Sequence, residues 1–287
     1  MDQATLIVQS INSMLWGVYC LIPLLVGTGI YFTWKLRFVQ VKRLGEALRQ
    51  VFGDFSFFGK SAGKDGMSSF QALATAISAQ VGTGNLAGVA TALAMGGPGA
   101  IFWMWLAAFF GMATIFAEAV LAQLYRSRDA KGNITGGPAF YISEGLGSKA
   151  LATFFSITII IALGFVGNMV QANSIADAFN TAFNIPTWLT GIGIIALSGF
   201  IFIGGIKRIA SFAEKMVPAM ALVYIVGSIT IIFSNFTEIF HVIEMIFVGA
   251  FDPQAATGGV IGAGIREAIR YGVARGLFSN EAGMGST

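Results

Sequence analysis

Runs of about 20 apolar residues constrain this chain more than any other feature, because a helix of that length spans the hydrocarbon core of a bilayer. They recur along the whole sequence, roughly at 11–34, 68–95, 98–125, 149–176, 187–206, 212–234 and 259–287. Charged residues make up only 11% of the 287, against 55% apolar, where an ordinary soluble domain carries about 25% charge. A globule with so little polar surface could not cover itself in water. A cytosolic enzyme and a disordered chain are therefore excluded, and an all-α polytopic membrane protein remains. The single cysteine, Cys20, rules out a disulfide framework and reads as a small apolar residue inside the first helix.

The basic residues give the topology. Lys35, Arg37, Lys42, Arg43, Arg49, Lys60 and Lys64 lie between the first two runs. Arg126, Arg128, Lys131 and Lys149 lie between the third and fourth, and Lys207, Arg208 and Lys215 between the fifth and sixth. The alternate connections, near 96–97, 177–186 and 235–258, hold none. This bias places the basic loops in the cytoplasm and the N-terminus outside, in a multi-pass protein of the plasma (inner) membrane. The net charge of +3 thus reflects topology rather than a nucleic-acid partner. Asp2 is the only charge before Lys35, and the first run is too long for a signal peptide, so it reads as a span. Segment 238–250 places Glu238, His241 and Glu244 on one stripe among apolar residues, the pattern of a helix lying on the outer interface.

The second run is interrupted by Gln80-Val-Gly-Thr-Gly-Asn85. Each glycine weakens a helix by roughly 1 kcal/mol relative to alanine, and polar side chains at mid-span are costly in lipid. A helix broken there presents carbonyls before the break and N–H groups after it, tolerated only where they line a cavity or are buried in protein. The N–H groups from Gly84 onward suit an anion such as a carboxylate. The carbonyls around Ala79 and Gly82 suit a small cation. Gly88, Ala92 and Ala94 read as close-packing positions. A second interruption, Phe278-Ser-Asn-Glu-Ala-Gly-Met-Gly285, follows the last apolar run. Asn85-Leu-Ala-Gly88 and Asn280-Glu-Ala-Gly283 agree at three of four positions. The second interruption falls five spans after the first, the spacing of an inverted-repeat transporter.

These features divide the chain. Residues 1–67 form an extra span and a basic linker, and 68–234 a first five-helix repeat broken at 80–86. Residues 235–258 form an outer interfacial segment, and 259–287 the start of a second repeat broken at 278–285. The chain ends just after that break, so it reads as truncated after the start of the second repeat. Polar residues elsewhere in the spans are few. Asn168 and Gln171 share a face of the fourth run beside Gly164, Phe165 and Gly167, and their amides suit a zwitterion. Glu118 lies near the basic end of the third run, where a structural or gating role fits best. Glu281, Arg266, Arg270 and Arg275 charge the last segment, which therefore faces protein or water rather than lipid, and Glu281 is placed either to balance Arg275 or to touch an ion.

Gly82-Thr-Gly-Asn-Leu-Ala-Gly-Val-Ala-Thr-Ala92, Gly96-Gly-Pro-Gly-Ala-Ile-Phe-Trp-Met-Trp105, Gly111-Met-Ala-Thr-Ile-Phe-Ala-Glu-Ala119 and Gly276-Leu-Phe-Ser-Asn-Glu-Ala-Gly-Met-Gly-Ser286 resemble the alanine or glycine:cation symporter family. The resemblance covers essentially the whole chain. It implies a LeuT-like inverted-repeat fold preceded by one extra helix, and sodium-driven uptake of alanine or glycine. By position it implies that Thr83 and Gly84 bind the substrate carboxylate. Gln80, Asn85 and Gln171 hold the polar groups of the pocket, with Ser279 and Asn280 across from them. Phe165, Phe278 and Met284 shape a small apolar pocket. The sodium ion is the coupled cation, and the protein is expected to act as a monomer. Proton coupling is the alternative. A passive channel is disfavoured because two non-identical breaks in one chain do not make a ring of filter segments. A membrane enzyme is disfavoured because the chain has one histidine and no nucleophile–base constellation.

Overall fold

The computed structural model describes residues 3–16, 20–52, 69–128, 130, 132, 134–251 and 264–286. Helices dominate. They are α1 (Gln3–Leu15), α2 (Leu21–Lys35), α3 (Val39–Lys42), α4 (Leu44–Phe52), α5 (Ser69–Gln80), α6 (Thr83–Gly96) and α7 (Gly99–Leu124). After a hairpin come α8 (Pro138–Phe140), α9 (Lys149–Ile159), α10 (Asn168–Phe183), α11 (Thr187–Phe202), α12 (Gly205–Ser234), α13 (Ile239–Phe251) and α14 (Ile265–Asn280). Helix α9 continues into α10 through a π-helical stretch, Ile160–Gly167.

Three helices among the described residues are long and apolar enough to cross a membrane: Gly99–Leu124, Lys149–Phe183 and Arg208–Ser234. The other apolar runs form shorter pieces. The first, expected as one helix over 11–34, is two: α1 ends at Leu15 and α2 starts at Leu21. Pro23 fits the restart, since proline is best accommodated in the first turn of a helix, where its missing N–H is not needed. Cys20 consequently caps α2 and is exposed rather than lying inside a helix. The fourth run extends past its expected end at 176 to Phe183. Asn184 stops it in the left-handed conformation (φ 54°), with Pro186 two residues beyond.

The chain forms two compact units, one of Met1–Leu44, Gly84–Ala117 and Ser228–Gly285, the other of Gly45–Thr83, Glu118–Gly227 and Ser286–Thr287. In the first, α6 and α14 run antiparallel. A Cβ on Gly84 would lie 3.3 Å from Phe278, one on Gly88 3.7 Å from Arg275 and one on Gly96 3.2 Å from Tyr271, so numbers rise along α6 as they fall along α14. Gly88, Ala92 and Gly96 recur every fourth residue and are buried. Ala94 lies two residues off that stripe and is exposed, so Gly96 takes the packing role expected of it. Another stripe of α14 meets α7. A Cβ on Gly272 would run into the Ala100 carbonyl, and one on Gly276 would lie 3.2 Å from Met104 and Ala107. Ile22, Ala107, Val273 and Leu277 form the core there, packed by Leu25, Val26, Trp103 and Ile269. Helix α13 lies against the start of α7. Phe102 meets Phe247 at a tilt and Phe251 edge-on, and the Trp103 indole N–H donates to the Ala250 carbonyl at 3.3 Å.

In the second unit, Ala74 and Ile77 of α5 pack on Ala213 and Val217 of α12. Beside them the Gln71 amide donates to a Glu214 carboxylate oxygen at 2.8 Å. Helix α10 packs along α11. A two-residue antiparallel pair, β1 (Ser127–Arg128) with β2 (Ile134–Thr135), is the departure from helix among the described residues. Ile195, Leu222 and Val223 of α11 and α12 are each more than half exposed. Such uncovered apolar faces belong in hydrocarbon rather than water.

Candidate functional site

The last N–H of α5's ladder is that of Val81, which donates to the Ile77 carbonyl at 2.8 Å. Val81 and Gly82 lie outside helix, and α6 begins at Thr83. The first N–H groups of α6 have no carbonyl of their own helix to meet. That of Thr83 is taken by the Gln171 side chain of α10. The Thr83 N–H donates to Gln171 Oε1 at 3.2 Å, and the Thr83 hydroxyl donates to the same oxygen at 3.3 Å. Gly82 makes the approach possible, because a Cβ there would run into the Gln171 amide. Gly82, Thr83 and Gln171 are thus one cluster of the second unit.

The first unit holds the other cluster. Asn85 Nδ2 donates to the Ser279 hydroxyl at 2.7 Å and to the Ser279 carbonyl at 3.2 Å. One amide thereby ties the first turn of α6 to the end of α14, 194 residues away. The ring of Phe278 covers Gly84 and meets Trp16 edge-on at 6.2 Å. Helix α14 ends at Asn280, whose Oδ1 accepts from the Ala282 N–H at 3.0 Å. Glu281 then turns into the left-handed region (φ 54°), and Met284 N–H closes the turn on the Glu281 carbonyl at 3.0 Å. Gly283 has φ +84°, where a side chain would be strained, and lies against Leu25 and Thr114.

Other expected site residues are placed apart from these contacts. Asn168 donates back to the Gly164 carbonyl of its own helix at 3.1 Å, and Phe165 is 63% exposed on the π-helical stretch. Gln80 ends α5 half-buried, and Ala79 beside it is exposed. The Gln80 side chain makes no hydrogen bond among the described residues. Met284 is half-buried in the turn after α14. Glu118 is half-buried near the end of α7. Burial first, and then the negative charge of Glu118, push the Tyr141 hydroxyl above its ordinary value of about 10. Arg275 forms no ion pair with Glu281; Arg270 pairs with Glu267 at 3.5 Å.

Two neighbours of the clusters carried no expected role. A Cβ on Gly111 would lie 3.1 Å from the Asn280 amide. The small-residue spacing Ala107, Gly111 along α7 is the signal that points to it. Trp16, against Phe278, stands at the end of α1 with no periodic signal. Among the described residues no three His, Cys, Asp or Glu side chains gather as metal ligands.

Over residues 1–287 the chain matches the sodium:alanine symporter family. It is 47% identical over 281 residues to an uncharacterized transporter of Haemophilus influenzae, covering 98% of this chain and 60% of the relative. It is 48% identical to a putative sodium/proton-dependent alanine carrier protein of Bacillus subtilis, covering 97% of this chain and 55% of the relative. It is 43% identical to a sodium/alanine symporter of Methanococcus maripaludis, covering 98% of this chain and 61% of the relative. The chain thus spans rather more than half the length of the relatives it matches.

Proposed function

Because the chain belongs to the sodium:alanine symporter family, a family of transporters and not of enzymes, we propose that its protein carries small neutral amino acids, alanine or glycine, across the plasma membrane together with sodium. The observation that carries this reading is the bond pair on Gln171 Oε1. An oxygen acceptor is held by the N–H and hydroxyl of Thr83 at the head of α6, the geometry that a substrate carboxylate would use. The Gln171 amide oxygen occupies the acceptor position that the carboxylate would take. Substrate entry exchanges one acceptor for another, and the freed Gln171 amide turns to the substrate's polar groups. Gly84, next in the chain, offers the following N–H with no side chain of its own.

Asn85 and Ser279 hold the second break against the first by side-chain hydrogen bonds, and Asn280 fixes the turn of the second break through the Ala282 N–H. Phe278, over Gly84, and Met284 limit the substrate side chain to a small one. Gln80 and Asn168 supply further amide contacts to the zwitterion. Sodium, a substrate here, takes the carbonyl oxygens of Ala79 and Gly82. Its charge beside the carboxylate links the two affinities, and coupling requires that linkage. Alternating access follows from rocking of two inverted repeats in a LeuT-like fold, by a protein acting as a monomer. Proton coupling is the second reading, favoured by the name of the Bacillus subtilis relative.

The test is equilibrium binding of alanine by the full-length protein in detergent, with sodium or with potassium. Sodium tightens binding, and Thr83→Val weakens it about tenfold, the loss of one charge-assisted hydrogen bond. Binding that ignores both sodium and Thr83→Val removes this reading.

A further inference from the structure

Arg275 lies on α14 five residues before Asn280, so about 7 Å along the helix from the second break. Its side chain runs over α6 where Gly88 leaves room: Cδ and Nη1 each stand 3.7 Å from the position of a Cβ on Gly88. Its neighbours on the helix are compensated or solvated. Arg270 pairs with Glu267 at 3.5 Å and covers the Tyr271 ring at 5.4 Å, and Arg266 is exposed. Arg275 is half-buried, and among the described residues it has neither an ion pair nor a hydrogen bond. A guanidinium partly removed from water and left unpaired is costly, and within a membrane protein it marks a group awaiting an anion. Gly88 follows Thr83 by five residues on α6, so both helices place this guanidinium on the same side of the Asn85–Ser279 bond. That is the side toward Gly96, which the distribution of basic loops puts outside.

We propose that Arg275, in the bay opened by Gly88, is an outer recognition site for the carboxylate of the incoming amino acid, occupied before the carboxylate passes to the head of α6. This rests on the symporter reading above and adds an ordered first step to it. The guanidinium presents a fork of N–H donors that matches a carboxylate. It sits roughly one and a half helical turns from the break, too far to serve the same carboxylate in its final position.

The test uses the full-length protein in detergent with sodium present and compares wild type, Arg275→Gln and Arg275→Lys. Alanine association and dissociation rates are measured by rapid mixing, and thermal midpoints without alanine are recorded. Arg275→Gln slows association about tenfold and leaves dissociation within about twofold, while Arg275→Lys recovers much of the rate. The midpoint without alanine is unchanged or raised, because no partner is stranded. Unchanged association in Arg275→Gln overturns this proposal alone. So does a lowered midpoint, which would mean that Arg275 is held by a carboxylate of the protein. A wild type that binds no alanine overturns both this step and the symporter reading.

Discussion

At the scale of single residues, small groups decide what large ones can reach. Gly82 admits the Gln171 amide, Gly84 admits the Phe278 ring and Gly111 admits the Asn280 amide. In each case the glycine serves by lacking a side chain, and the polar or aromatic partner comes from another helix. Tyr141 gives a residue-scale test of a different kind. Its hydroxyl is held above the ordinary value by burial and by Glu118. A raised value in the folded state means that the fold favours the protonated form. The stability it contributes is present below about pH 10 and is lost as pH rises through the higher folded value. The thermal midpoint of the full-length protein therefore falls with pH above about 10, and Tyr141→Phe flattens part of that fall. An identical pH profile in Tyr141→Phe would show that the hydroxyl plays no part in it.

Among the helices, packing of α14 on α6 and α7 through glycine and alanine sets how closely the two breaks approach. Gly272 is the tightest such point, its missing Cβ replaced by the Ala100 carbonyl and the Trp103 Cβ at 2.8 Å. Gly272→Ala is therefore destabilising by about 1–3 kcal/mol through overpacking. Gly227→Ala in α12, where nothing lies within 4 Å, is neutral or stabilising by up to about 1 kcal/mol through helix propensity. Thermal unfolding of the two variants in detergent separates them, and equal midpoints would contradict the packing described for α14. The stop at Gln80 and restart at Thr83 are legible in Gln80-Val-Gly-Thr-Gly-Asn85, because glycine and polar groups act locally. The tie from Asn85 to Ser279 is visible in sequence only as the likeness of two tetrapeptides, since hydrogen-bond partners so distant leave no local trace. The division of the first run at Cys20 was hidden because an apolar run looks continuous, and only the position of Pro23 betrays the restart. The π-helical stretch before Asn168 has no signature in its own residues either. It carries Phe165 on an exposed face, whereas Gln171, a few residues on, reaches Thr83.

On the scale of the whole molecule, the apolar faces of α11 and α12 require lipid. Membership of the sodium:alanine symporter family gives the class of transport. The proposed cargo and coupling ion rest on the likeness to that family, and the breaks offer chemistry that suits them: donors at the head of α6 for a carboxylate and carbonyls at Ala79 and Gly82 for sodium. The most direct test is uptake of labelled alanine into vesicles reconstituted with the full-length protein, with and without an inward sodium gradient. Symport predicts that alanine accumulates above its outside concentration only while the sodium gradient lasts, and that a proton gradient alone does not replace it. Alanine that merely equilibrates, or that accumulates equally well without sodium, would contradict sodium-coupled symport.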